Sequence, residues 1–159
     1  MNDLLNLLRR QARLTNTELA SQISSTEAEV AAQISAWEAD GTIRGYQAMV
    51  DPAHDGEDAV TAFIEVRLTP ERGGGFDRLA RRISRFEEVT SCYLASGGYD
   101  LLVLVEGKDL FAVAVFVSGK LSSIEGVIST ATHFRLKSYK ENGFLFGEEI
   151  DLERLPVSP

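Results

Sequence analysis

The chain is short of the residues from which most reactive sites are built. It has one cysteine and two histidines in 159 residues. Cys92 cannot form an intramolecular bridge, so a reducing cytoplasm is the expected setting, with a buried inert thiol in preference to a nucleophile. His54 and His133 lie far apart, and neither has a Cys or acidic partner at metal-ligand spacing. Neither a metal nor a cofactor is therefore expected. Gly73-Gly74-Gly75 lacks the Lys-Ser/Thr of a phosphate loop and reads as flexible backbone. Met1-Asn2-Asp3-Leu4-Leu5 has no basic n-region, so no secretory signal is expected. No apolar run approaches the roughly 20 residues of a membrane span. A formal charge of −8 argues against coating nucleic acid or anionic lipid through the general field. No enzyme motif stands out.

What is present is patterned. Leu4, Leu5, Leu7 and Leu8 crowd one side of a short helix that ends on Arg9 and Arg10. Thr15-Asn16-Thr17-Glu18 is a capping box opening a second helix through Leu19, Ala20 and Ile23, and Thr26-Glu27-Ala28-Glu29 repeats the device. The third helix places Val30, Ile34 and Trp37 at i, i+4 and i+7 and stops at Gly41. Two extended pieces, 42–46 and 48–50, follow. Three short helices with these pieces read as a winged helix-turn-helix over residues 1–50. A polar, acidic stretch with Pro52 and Gly56, residues 51–59, reads as a linker.

A second domain is expected over 60–140, with a tail at 141–159. Val60, Ala62, Ile64, Val66 and Leu68 alternate with polar or mixed residues, the period of a half-buried strand. Phe76, Leu79, Ala80, Ile83 and Phe86 mark the inner face of a helix, with Arg78, Arg81, Arg82 and Arg85 off it. A strand–glycine turn–strand runs from Val89 to Glu106, Asp109 caps a helix carrying Leu110, Val113, Phe116, Val117 and Leu121, and Val127–Tyr139 returns as a last strand. The order β-α-β-β-α-β folds most simply into a four-stranded antiparallel sheet with both helices on one face, an α+β class. Phe63, Cys92 or Tyr93, and part of the last strand would then face water. Two such sheets packing face to face would cover them, so at least a dimer is expected.

Within the hairpin, Gly97 and Gly98 supply the positive φ that a tight turn needs, and a tight turn alone explains them. Asp100 asks for more. A carboxylate beside open backbone N–H and C=O groups is suited to a free amino acid, its ammonium on Asp100 and its carboxylate on the glycine amides.

Four groups of residues carry a family resemblance across both domains. They are Arg13-Leu14 with Glu18-Leu19-Ala20; Gly41-x-Ile43-Arg44-Gly45-Tyr46 leading to Asp51-Pro52; Gly97-Gly98-Tyr99-Asp100-Leu101; and Gly126-Val127 with Thr130 and Thr132. In this order the chain resembles the Lrp/AsnC (feast/famine) regulators over essentially its whole length. The resemblance implies a winged helix-turn-helix joined to a ferredoxin-like βαββαβ (RAM) domain. It implies a DNA-binding transcriptional regulator and no enzyme, a homodimer assembling further, commonly to an octamer, and an amino-acid effector bound between dimers. For the effector it points to Gly97, Gly98, Tyr99, Asp100, Thr130 and Thr132; ordinary β-branched strand filler would equally explain the two threonines. For DNA the candidates are Thr26, Gln33, Ser35 and Arg44.

The chain departs from the family at the recognition helix. From Ser24 to Gly41 there are four acids, Glu27, Glu29, Glu38 and Asp40, and no Lys or Arg. Acids there repel phosphates within a Debye length of about 8 Å. Two alternatives stay open: an oligomeric amino-acid sensor acting through a protein partner, and an enzyme similar to the sirohaem decarboxylases.

Overall fold

The computed structural model of the chain describes residues 2–51, 59–70 and 75–147, in two compact units, Met1–Met49 and Val50–Pro159. Most of the expected linker, with His54, and Gly73 and Gly74 of the glycine run lie outside the described residues.

In the first unit, α1 (Asn2–Arg10) buries Leu4 and Leu8. Helices α2 (Asn16–Ile23) and α3 (Glu27–Asp40) both open on complete capping boxes. Thr15 N–H donates to Glu18 at 2.7 Å and Glu18 N–H to the Thr15 hydroxyl at 3.2 Å; Thr26 and Glu29 repeat the exchange at 3.0 and 3.3 Å. Between the helices Ser24 takes a left-handed φ of 54°, unusual for a residue with a side chain. Leu4, Leu8, Leu19, Ala20, Val30 and Trp37 form the core. Gly41 ends α3 at φ 77°, where an added Cβ would also stand 2.9 Å from Arg44 Cζ. The extended pieces expected after it do not pair with each other: residues 44–50 have no regular secondary structure. Gln47 alone separates them, whereas a hairpin turn needs about two residues.

The second unit is the expected βαββαβ. Strand β1 (Val60–Leu68) is followed by α4 (Asp77–Ile83), β2 (Val89–Leu94), β3 (Leu101–Gly107), α5 (Leu110–Val115) and β4 (Val127–Phe134). The sheet order is β2-β3-β1-β4, antiparallel throughout. Ala62, Ile64 and Val66 of β1 and Leu101, Val103 and Val105 of β3 are fully buried, against Leu79 and Ile83 of α4, Val113 of α5 and Phe116 just beyond it. Burial of each large side chain contributes about 1.5–3 kcal/mol. Past Val115 the helix widens into π turns (Phe116–Leu121), a geometry that puts Phe116 and Leu121, five apart, on the same inner face.

Two expectations, for Leu110 and for the end of the last strand, need correction, and the choice between Cys92 and Tyr93 is settled. Leu110 is 57 % exposed instead of inward. Cys92 pairs with Val103 and packs against the core beneath the helices, so Tyr93 is the residue on the other face. Burial raises the Cys92 thiol pKa. The last strand ends at Phe134, not Tyr139, because its partner β1 begins at Val60 and the ladder reaches only Ala62↔Phe134 before Arg135 N–H closes on the Thr61 carbonyl at 2.9 Å. A small hairpin, β5 (Lys140–Glu141) with β6 (Phe144–Leu145), then occupies the start of the expected tail.

The register defines the sheet face away from the helices. Phe63 lies between Leu104 and His133, Glu65 between Leu102 and Ala131, and Tyr93 opposite Leu102. Among the described residues no helix of this unit covers that face, and Tyr93 is 55 % exposed.

Candidate functional sites in the two units

On α3, residues succeed one another at about 100°. With Val30 and Trp37 on the core, the centre of the opposite side is Ala28, Ala32, Ser35 and Ala39, all exposed. Glu27 and Glu38 fall along one edge of this strip and Glu29 and Asp40 along the other. Every one of these carboxylates has an internal donor. Glu27 accepts the Thr17 hydroxyl at 2.9 Å, Glu38 the Tyr46 hydroxyl at 2.9 Å, and Asp40 the Thr42 N–H at 2.8 Å. Glu29 accepts from Thr26 N–H at 3.0 Å and from the hydroxyls of Ser25 and Thr26 at 2.7 and 2.9 Å. These donors, the Thr26 N–H foremost, hold the Glu29 pKa down at about 2, and Thr42 lowers that of Asp40. Desolvation and the Glu38 carboxylate raise the Tyr46 phenol. The acids of α3 thus belong to the scaffold of their unit.

The four residues expected at DNA separate. Thr26 is the N-cap, its hydroxyl held by Glu29. Gln33 lines an open cleft of about 410 Å³ beside Leu4, Ile23, Ser24 and Trp37. Ser35 and Arg44 are exposed.

In the second unit, the turn between β2 and β3 is closed by Ala95 N–H on the Asp100 carbonyl at 2.9 Å. Of the two glycines expected at positive φ only Gly97 has one, 137°; both are exposed, and nothing lies within 4 Å of a Cβ built on either. Tyr99 is half-buried. Asp100 completes the β1–β3 ladder beyond the last pair, Val66↔Leu101: its N–H donates to the Val66 carbonyl at 2.9 Å and its Oδ2 accepts Leu68 N–H at 2.7 Å. One oxygen is therefore structural; Oδ1 has no hydrogen bond among the described residues.

Thr130 and Thr132 sit opposite Val66 and Ile64 on the helix side of β4, and Thr130 Oγ1 is 3.3 Å from Ser122 Oγ. Asp100 and Thr130 flank the same residue, Val66, from opposite sides. Two strand spacings separate them, about 10 Å, farther than the ammonium and carboxylate of one amino acid can span. Sequence reading missed Ser122, Thr17 and Tyr46, because their partners depend on register and tertiary packing and leave no periodic signal.

The family profile of the Lrp/AsnC ligand binding domain matches residues 61–145. The uncharacterized HTH-type transcriptional regulator YugG of Bacillus subtilis is 52% identical over 115 residues, covering 72% of this chain and 69% of that one. The chain belongs to the Lrp/AsnC family. The leucine-responsive regulatory protein of Escherichia coli K12 is 25% identical over 143 residues, 90% of this chain and 87% of that one. A transcriptional regulator of Neisseria meningitidis solved in complex with L-Met superposes with a TM-score of 0.67 at 28% identity, over 87% of this chain and 89% of that one. As an Lrp/AsnC protein the chain is a transcriptional regulator with a ligand-binding domain, built as a helix-turn-helix plus a RAM-type fold, and not an enzyme. That removes the sirohaem-decarboxylase alternative. Among the described residues no helix is long and apolar enough to cross a membrane.

Proposed function

We propose that this Lrp/AsnC regulator is a cytoplasmic protein that binds double-stranded DNA through its first unit, under the control of an amino acid held at the glycine end of the sheet. The observation that carries the DNA reading is that each acid on α3 has an internal donor. The helix then presents a small-residue strip with Ser35 at its centre and Arg44 close behind it in sequence. A gel shift of the protein's own upstream DNA at low and moderate salt tests this. A shift is expected at low salt that weakens as salt rises; no shift at either, with the assembly intact, overturns it. That outcome would favour the sensor acting through a protein partner, a reading supported by the lack of Lys and Arg from Ser24 to Gly41.

For the effector, Gly97, Gly98 and Tyr99 offer backbone amides, Asp100 Oδ1 the cation site, and Thr130 and Thr132 hydroxyls. The L-Met bound by the Neisseria relative supports the amino-acid class. Because Asp100 and Thr130 stand about two strands apart, the pocket takes its second half from another subunit. A homodimer forms through the Phe63, Leu102, Leu104 and Tyr93 face, and its further association towards an octamer supplies that half where dimers meet. Thermal shift against the twenty amino acids is expected to find a stabiliser, worth about 2.7 kcal/mol at a hundred times Kd.

A further inference from the structure

The first unit holds four cationic residues, Arg9, Arg10, Arg13 and Arg44, against six acids, Asp3, Glu18, Glu27, Glu29, Glu38 and Asp40. Duplex binding draws its sequence-independent affinity from cations that displace counterions from phosphates. The unit that carries the helix-turn-helix has a deficit of them.

A cationic stripe on a well-anchored helix lies elsewhere, on α4. From Phe76 to Phe86 there are four arginines and a single acid, Asp77. Leu79 and Ile83 of this helix are buried in the sheet core. At about 100° per residue, Arg81, Arg78 and Arg82 fall in that order within roughly 100° of one another, on the side away from Leu79 and Ile83. Arg85 follows just past the helix end, in a tighter turn closed by its N–H on the Arg82 carbonyl at 3.3 Å. All four are exposed, and Arg81, Arg82 and Arg85 form no ion pair among the described residues.

A face that served only solubility would alternate signs. Here the four basic residues on this face carry one sign, and like charges side by side on a helix repel one another. That repulsion is relieved when an anion with several charges lies along the stripe. From Arg78 to Arg85 the stripe runs about 10 Å at 1.5 Å per residue, the rise of three phosphates along one strand of a duplex at about 3.4 Å each. Guanidinium groups suit phosphate oxygens through paired N–H donors.

We propose that the arginine stripe of α4 is a second DNA-contacting surface, placed in the ligand-binding unit, which holds the phosphate backbone of a duplex. This rests on the DNA-binding reading above. The stripe carries affinity and no sequence preference, since phosphates are alike at every site.

The test is anisotropy titration of the full-length protein with its own upstream DNA and with a scrambled duplex, from 50 to 200 mM salt. Three proteins are compared: wild type, Arg81→Gln/Arg82→Gln/Arg85→Gln, and Arg81→Lys/Arg82→Lys/Arg85→Lys. Arg78 is left in place, and sedimentation checks the assembled mass. The Gln protein is expected to bind both duplexes more weakly, with its specificity ratio kept. Its plot of log affinity against log salt should be shallower by about 0.9 per lost contact, so by up to about 2.7. The Lys protein keeps the charge and should stay near wild type. A Gln protein of normal mass with wild-type slope and affinity overturns the proposal while leaving DNA binding itself intact; that is also the result if the stripe serves an acidic protein segment. If the Gln protein changes mass and the Lys protein, at normal mass, also loses the slope, the arginines act in assembly and the proposal falls. A wild-type protein that binds neither duplex defeats the DNA-binding reading and this one with it.

Discussion

Asp100 is the residue whose replacement separates architecture from ligand binding. Its Oδ2 accepts Leu68 N–H at 2.7 Å, and Leu68 is 2 % exposed. Asp100→Ala removes a charged acceptor and leaves a buried N–H unpaired, a loss of about 2–3 kcal/mol. Asp100→Asn keeps an acceptor oxygen in reach and gives up only the charge, about 1 kcal/mol. For a domain of this size each kcal/mol moves the midpoint by about 4–8 °C. The Ala protein should therefore melt at least 8 °C below wild type, and the Asn protein about 4–8 °C below it. Thermal unfolding followed by circular dichroism, at one protein concentration because association shifts Tm, measures both. Equal melting of the Ala and wild-type proteins would refute the structural role. Equal losses in Ala and Asn would mean that the charge, not the acceptor, holds the sheet end. The Asn protein then carries the second question. If Oδ1 holds the effector's ammonium, Asn loses the amino-acid stabilisation although its fold is nearly intact; if stabilisation survives in Asn, the cation site lies elsewhere.

Gly126 has φ 97°, and an added Cβ would stand 2.7 Å from Leu79 Cδ1; Gly126→Ala should cost about 2–4 kcal/mol from left-handed strain and overpacking, read by urea unfolding; a loss of only about 1 kcal/mol would show that Leu79 gives way and backbone strain alone remains, and no loss would refute both. The folded-state pKa values of Glu18 and Glu29 are depressed, that of Glu29 to about 2, so their contribution is fully present above about pH 4.5 and lost as pH falls towards 2. Fluorescence of Trp37, the sole tryptophan and buried on α3, reports this loss, and Glu29→Gln should flatten the acid limb. Phe63→Asp puts a charge in the middle of the uncovered sheet face and should reduce the assembled mass in sedimentation; an unchanged mass would show that copies do not pair through that face.

The elements were legible wherever one residue type decides a local geometry. The two capping boxes fixed the starts of α2 and α3, Gly41 the end of α3, and strict alternation the inward side of β1. What could not be read was whatever depends on a partner strand. β4 stops where β1 runs out, and Cys92 and Tyr93 exchange faces with a one-residue change of register. The site divides in the same way. The glycine turn and the position of Asp100 were visible, but the bond from Leu68 spans 32 residues and the contact of Thr130 with Ser122 rests on the π turn before it.

The acids of α3 show why counting charge along a helix is a weak guide to what it binds. Read in sequence, Glu27, Glu29, Glu38 and Asp40 make a surface that repels phosphate. In the fold each carboxylate is drawn towards a donor, and two of those donors, Thr17 and Tyr46, lie outside α3 and its caps. The charge persists, but each acid is tied down along an edge of the helix instead of sweeping the strip around Ser35. Replacing them with cations would not simply improve DNA binding. Glu29→Lys would leave the Thr26 N–H and the hydroxyls of Ser25 and Thr26 without their acceptor, at the helix end where a cation also opposes the dipole. The start of α3 would loosen where the turn must be rigid to present the helix. No Lys or Arg stands on this helix, so the phosphate-binding cations proposed above lie outside it, and the exposed arginines of α4, on a helix anchored by Leu79 and Ile83, disturb no cap.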